Sequence, residues 1–166
     1  MPDRNQAPVI PRIPRTFRRS LHIRHVDAGS DGSEESEILA LTNPYYDISR
    51  LGIFFTPSPR HADVLLVTGP VTSAMKDPLL RSYEAMPDPK IVIAVGTDAC
   101  SGGIYGEGYA TLGGIDRVLP VDVYVPGSPP SPLAIIYGLL LAVDRIEQKE
   151  HHRTALLGRE NHHGAR

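Results

Sequence analysis

The sequence predicts an α/β domain: a parallel sheet with helices on both faces, in one folding unit. Three observations predict it. Short, wholly apolar runs such as Val64–Val67 and Ile91–Val95 each stop at a glycine, as strands buried on both faces do. Helix-like segments alternate with those runs, as in βαβ units. At 166 residues the chain is long enough to bury a core in a single domain.

The elements follow in order. Leu21–Asp27 reads as a strand ending before Gly29. Ser33–Leu41 reads as a helix, with Ser33 placed to cap it and Glu34, Glu35 and Glu37 near its start, where the helix dipole favours anions. Gly52–Phe55 and Val64–Val67 read as strands, the latter stopped by Gly69-Pro70. Pro78–Met86 reads as a helix with Asp77 as its cap, and Ile91–Val95 as a strand closed by Gly96. Val121–Val125 ends in Pro126-Gly127, and the prolines at 129, 130 and 132 fix the start of a helix over Pro132–Gln148.

This core, residues 20–148, lies between two tails. Residues 1–19 carry four prolines, five arginines and one acid: a disordered terminus, or a strap for an acidic partner or anionic lipid heads. Residues 149–166 are polar, with histidine pairs at His151–His152 and His162–His163, and read as a solvated tail.

Composition excludes several functions. A net charge of −2 gives no basic field for nucleic acid. The apolar run Leu133–Val143 has helix-core length, short of the roughly 20 residues that span a bilayer. One cysteine rules out an intrachain disulfide framework and a four-thiolate metal site made by this chain, and it fits a reducing, cytoplasmic setting.

In a sheet of this kind, sites lie in the loops that leave the carboxyl ends of the strands. The turns AGSDGSEE (28–35), VGTDACSGG (95–103) and VPGSPP (125–130) should therefore meet at one edge. Gly29, Gly96, Gly102, Gly103 and Gly127 frame them. The glycines match no nucleotide fingerprint, and the glutamates that open the first helix would repel phosphate. Cys100 has no histidine placed as its base, which favours a packing role over a nucleophile.

The blocks TNPYYDISRLGIFFTPSPRHADVLLVTGPVTSAM (42–75), MPDPKIVIAVGTDACSGG (86–103) and LPVDVYVPGSPPSP (119–132) closely resemble one family. It is the small, cluster-carrying subunit shared by respiratory NADH:quinone oxidoreductase and the membrane-bound, energy-converting nickel–iron hydrogenases and formate hydrogenlyases. The resemblance spans roughly residues 20–145. It implies a flavodoxin-like fold and one [4Fe–4S] cluster held in the strand-end loops by four cysteines. Set against the hydrogenase-type pattern, those cysteines fall at Asp31, Glu34, Asp98 and Ser128. Three carboxylates and an alcohol are hard donors, poorly matched to cluster iron, so no cofactor is expected. The converged oxygens are then solvated or satisfied locally, hold a hard cation such as Mg²⁺ or Ca²⁺ at Asp31, Glu34 and Asp98, or meet a partner's arginine or lysine.

The resemblance also implies partners: a homologue of the hydrogenase large subunit, or its counterpart in the quinone reductase, and the subunits of a membrane arm. Arg60, Tyr45 and Tyr46 are the candidate contact residues. The leading expectation is a non-redox structural subunit, peripheral on the inner face of the cell membrane and attached only through its partners. The alternatives are an electron-transfer oxidoreductase subunit with an atypical cluster, and a divalent-cation-binding module.

Overall fold

The computed structural model describes residues 20–143. The basic arm, the polar tail with its histidine pairs, and the last turn expected of the final helix lie outside them.

Five strands form one parallel sheet: β1 (Leu21–Asp27), β2 (Ile53–Phe55), β3 (Val64–Thr68), β4 (Ile91–Val95) and β5 (Val123–Val125). Their spatial order is β2-β1-β3-β4-β5. This is the flavodoxin-like doubly wound arrangement, with the order reversing between β1 and β3. The helices are α1 (Ser33–Ala40), α2 (Lys76–Ala85), the short α3 (Thr97–Ser101) and α4 (residues 132–143).

Every residue of β3 and β4 is buried, as their unbroken apolar runs require. Successive side chains point to opposite faces, so two cores form. Ile23, Val64, Leu66, Ile91 and Ile93 pack with Ile38 and Leu41 at α1 and with Ile135 and Leu139 of α4. Leu65, Val67, Val92 and Ala94 pack with Leu79 of α2, Ala99 of α3 and Ile115. Each fully buried Ile or Leu contributes about 1.5–3 kcal/mol. The edges β2 and β5 are only three residues long, which limits pairing with other chains.

Several boundaries differ from the sequence expectation. The residue before α1 is Gly32 in a left-handed conformation, so Ser33 is the first helical residue and not the cap. α2 starts at Lys76, which puts Asp77 inside its first turn. β5 starts at Val123 because Asp122 is used differently: its carboxylate accepts the Val92 amide at 3.0 Å. α3 stands in a segment whose sequence reads as a loop; five residues between glycines are too few to show a helical period. α4 starts as its prolines predict, with the Ser131 carbonyl accepting from the Ile135 amide at 3.1 Å.

Candidate functional site

The loops at the carboxyl edge of the sheet are tied together by the backbone. The β1 loop joins the β3 loop: the Ala28 amide donates to Thr68, and the Thr72 amide donates back to Ala28, both at 2.9 Å. The β4 loop joins the β5 loop through the Thr97 amide, which donates to the Gly127 carbonyl at 2.7 Å. The Thr97 hydroxyl donates to the same carbonyl at 3.1 Å. The β1 and β4 loops meet at Glu34, which lies against Gly96. The three loops expected at one edge do converge, and the β3 loop joins them.

The β1 loop is shaped by its own carboxylates. Asp27 Oδ1 accepts the amides of Gly29 at 2.8 Å and Ser30 at 2.7 Å. Asp31 Oδ1 accepts the Ser33 amide at 2.9 Å and the Ser33 hydroxyl at 2.6 Å. The Ser33 donors hold Asp31 below the usual carboxylate range.

Glu34 turns inward and is only 1% exposed. Its Oε2 lies 2.9 Å from the Ser30 hydroxyl and 3.1 Å from the Ser33 hydroxyl, each of which has a nearer carboxylate, Glu35 and Asp31. Gly96 has φ 93°, and a Cβ there would stand 2.8 Å from Glu34 Cγ and 2.9 Å from Cδ. Only glycine lets the backbone pass this close to the carboxylate. Asp98, on α3, lies against Gly103, another glycine with no room for a side chain. Burial, followed by the charges of Glu34 and Asp31, raises the Asp98 carboxyl above its ordinary range. Ser128 is exposed in the β5 loop. Gly29, Gly102 and Gly127 sit in the turns as expected, all with positive φ.

Other polar residues at this edge carry no motif in the sequence. The buried Thr68 donates its hydroxyl to Glu35 Oε1. His25 Nε2 lies 3.0 Å from Thr68 Oγ1 and 3.5 Å from Glu35 Oε1. Glu35 Oε2 accepts from Ser30 at 2.6 Å. A continuous line of polar contacts therefore runs from His25 through Thr68, Glu35 and Ser30 to Glu34. One signal was available: Thr68 is the polar end of an otherwise apolar strand, in register with Asp27.

A [4Fe–4S] cluster, the group the resemblance implies, does not fit these donors. Asp31, Glu34, Asp98 and Ser128 offer only oxygen, and Glu34 is buried beside the Ser30 and Ser33 hydroxyls. The one cysteine, Cys100, packs in the core on the α2–α3 face of the sheet. Its Sγ lies 3.7 Å from the Ala94 carbonyl, and burial pushes its thiol up to about 11. Nor do the described residues contain any group of three or more His, Cys, Asp or Glu arranged to hold a metal ion, so the hard-cation reading finds no support in the geometry.

The candidate contact residues lie on the surface. Tyr45 is 79% exposed and packs edge-on against the half-buried Tyr46, with ring centroids 4.8 Å apart. Both tyrosine amides donate to Asn43 Oδ1 at 2.9 Å. Arg60 is exposed on the turn Pro59–His61.

The family model for the 20 Kd subunit of NADH ubiquinone oxidoreductase matches residues 31–142, nearly all of this domain and the loops just described. The chain belongs to that family. It is 48% identical over 137 residues to formate hydrogenlyase subunit 7 of Escherichia coli, an alignment that covers 82% of this chain and 54% of the relative. The chain thus spans about half the length of that protein. It is 46% identical over 128 residues to a probable membrane-bound hydrogenase subunit of Pyrococcus furiosus, covering 77% of each. Among solved structures, a chain of the archaeal membrane-bound sulfane sulfur reductase, a respiratory membrane complex, superposes with a TM-score of 0.69 at 38% identity, covering 80% of this chain and 73% of that one. Relatives in this family are thus components of membrane-bound hydrogenase and respiratory complexes. No helix among the described residues is itself long and apolar enough to cross a membrane.

Proposed function

We propose that this member of the family is a cluster-free structural subunit of a membrane-associated complex related to the energy-converting hydrogenases. The observation that carries this reading is Glu34. At a position where the family resemblance expects a cluster thiolate, the chain buries a carboxylate beside the Ser30 and Ser33 hydroxyls, which it shares with Glu35 and Asp31. The inward group is an oxygen donor held among the loop's own hydroxyls, where a cluster needs a thiolate. Electron relay depends on the cluster, whereas assembly depends on surfaces, and function resides in the site rather than in the fold.

Tyr45, Ile104, Tyr109, Leu133 and Tyr137 are large apolar side chains left largely exposed. The partners in this reading are a homologue of the hydrogenase large subunit, or its quinone-reductase counterpart, and the subunits of the membrane arm. Arg60, Tyr45 and Tyr46 lie in the contact with them. The chain then sits on the cytoplasmic face of the cell membrane, held there by those subunits. Purification of the native protein in mild detergent tests this. The reading requires both partner classes to co-purify, and a chain recovered alone would contradict it.

A second reading is an electron-transfer subunit with an atypically held cluster. Family membership favours it, and the donor set of the strand-end loops opposes it. Iron in the protein would decide between the two.

A further inference from the structure

The line of polar contacts at the strand ends has a defined hydrogen count. Thr68 has one hydroxyl proton, and it goes to Glu35 Oε1. The 3.0 Å contact between Thr68 Oγ1 and His25 must then be donated by His25 Nε2, which fixes the neutral tautomer with a bare Nδ1. Ser30 also has one hydroxyl proton, but two carboxylates approach it, Glu35 Oε2 at 2.6 Å and Glu34 Oε2 at 2.9 Å. The Gly32 amide donates to the Ser30 oxygen at 3.1 Å, so the hydroxyl is tied into the loop backbone.

We propose that His25, Thr68, Glu35 and Ser30 form a pH-sensitive latch, in which protonation of His25 turns the Ser30 hydroxyl from Glu35 to Glu34 and resets the loop after β1. The inference rests on the cluster-free reading, since a cluster would occupy the same loops. No covalent bond changes; one hydroxyl rotates. With His25 neutral, Glu35 draws on both Thr68 and Ser30. Protonation adds its proton at Nδ1; the ring then carries a positive charge, the Nε2–H becomes charge-assisted, and Nε2 stands 3.5 Å from Glu35 Oε1. Glu35 then needs the Ser30 proton less, and the buried Glu34 takes it. Ser30 is the two-state element that the charge on His25 biases.

The charged groups acting on His25 are Glu35 from α1, and Asp27 and Arg24 from its own strand. β3 contributes the uncharged Thr68. Burial lowers the imidazole below its usual value of about 6.5, outweighing the attraction of Glu35 and Asp27. The latch therefore switches on the acid side of neutrality.

The test is an NMR titration of the full chain between about pH 4 and pH 8, with iron measured on the same sample. The His25 ring nitrogens report its protonation, and the amides of Ser30, Gly32 and Glu34 report the loop. The latch predicts that these amides shift with the His25 midpoint, and that the shift is lost in His25→Gln and kept in Thr68→Ser. Loop amides that stay still while His25 titrates, or that follow a different midpoint, overturn it. So does a His25 ring that never titrates in the range. If His25→Gln does not fold, the comparison of midpoints in the unaltered chain still decides. Iron in the sample would overturn the cluster-free reading; an iron-free protein with uncoupled midpoints would overturn the latch alone.

Discussion

Gly96 and Glu34 are fitted to each other: the Gly96 backbone, at φ 93°, passes over the carboxylate with no room for a Cβ. Gly96→Ala should therefore carry two costs, the left-handed backbone and the collision with Glu34. The first alone is about 1–3 kcal/mol. In a Glu34→Ala background the collision disappears, so Gly96→Ala should cost less there than in the parent. Urea unfolding of the two single variants and the double variant measures the difference, and strictly additive costs would mean that the two residues do not meet.

Asp98 is raised by burial and by its acidic neighbours Glu34 and Asp31. A carboxyl raised in the folded state binds protons better there than in the unfolded chain. Its contribution to stability is present at low pH and is lost as pH rises through its folded value. Asp98→Asn should thus raise the melting temperature at pH 7 and leave it unchanged near pH 3. Because Asp98 is only partly buried, the gain should shrink in high salt. Thermal melts across pH at two salt concentrations check both statements.

Thr68 gives its hydroxyl to Glu35 and receives from His25, wholly out of water. Thr68→Val keeps the shape and removes both contacts. It should cost about 1–3 kcal/mol, because Glu35 loses a donor at a half-buried site. Thr68→Ser should recover most of that. A urea midpoint that is the same for Val and Ser would show that the hydroxyl contributes nothing.

Cys100 should be chemically quiet. Its thiol is pushed up to about 11 and lies half-buried between α3 and β4. At pH 7.5 a thiol reagent should label it slowly in the native chain and rapidly in denaturant. Fast native labelling would contradict the packing role.

Much of this architecture is legible in the sequence. The apolar runs of β3 and β4 and the proline-set start of α4 read directly, because burial on two faces and fixed φ leave local signatures. The convergence of the loops that carry Glu34, Asp98 and Ser128 follows once the sheet is known to be parallel. Contact across the chain is what leaves no such signature. Thr68 is one polar residue at the end of an apolar strand, and nothing near it in sequence points to Glu35, 33 residues away. His25 lies on the opposite face of its strand from His22 and nearer the carboxyl end, but nothing local shows that its ring reaches Thr68 and Glu35. The inward turn of Glu34 follows from the family resemblance and not from the local pattern, because a helix start rich in glutamate ordinarily keeps them in water.

The cluster-free reading is tested most directly by iron and acid-labile sulfide in protein purified anaerobically from its host, with an EPR spectrum of the reduced sample. A cluster-free subunit gives no iron or sulfide attributable to this chain and no reduced-cluster signal. About four irons per chain, with a signal that disappears in Asp31→Ala and Asp98→Ala, would contradict it and return the chain to electron transfer.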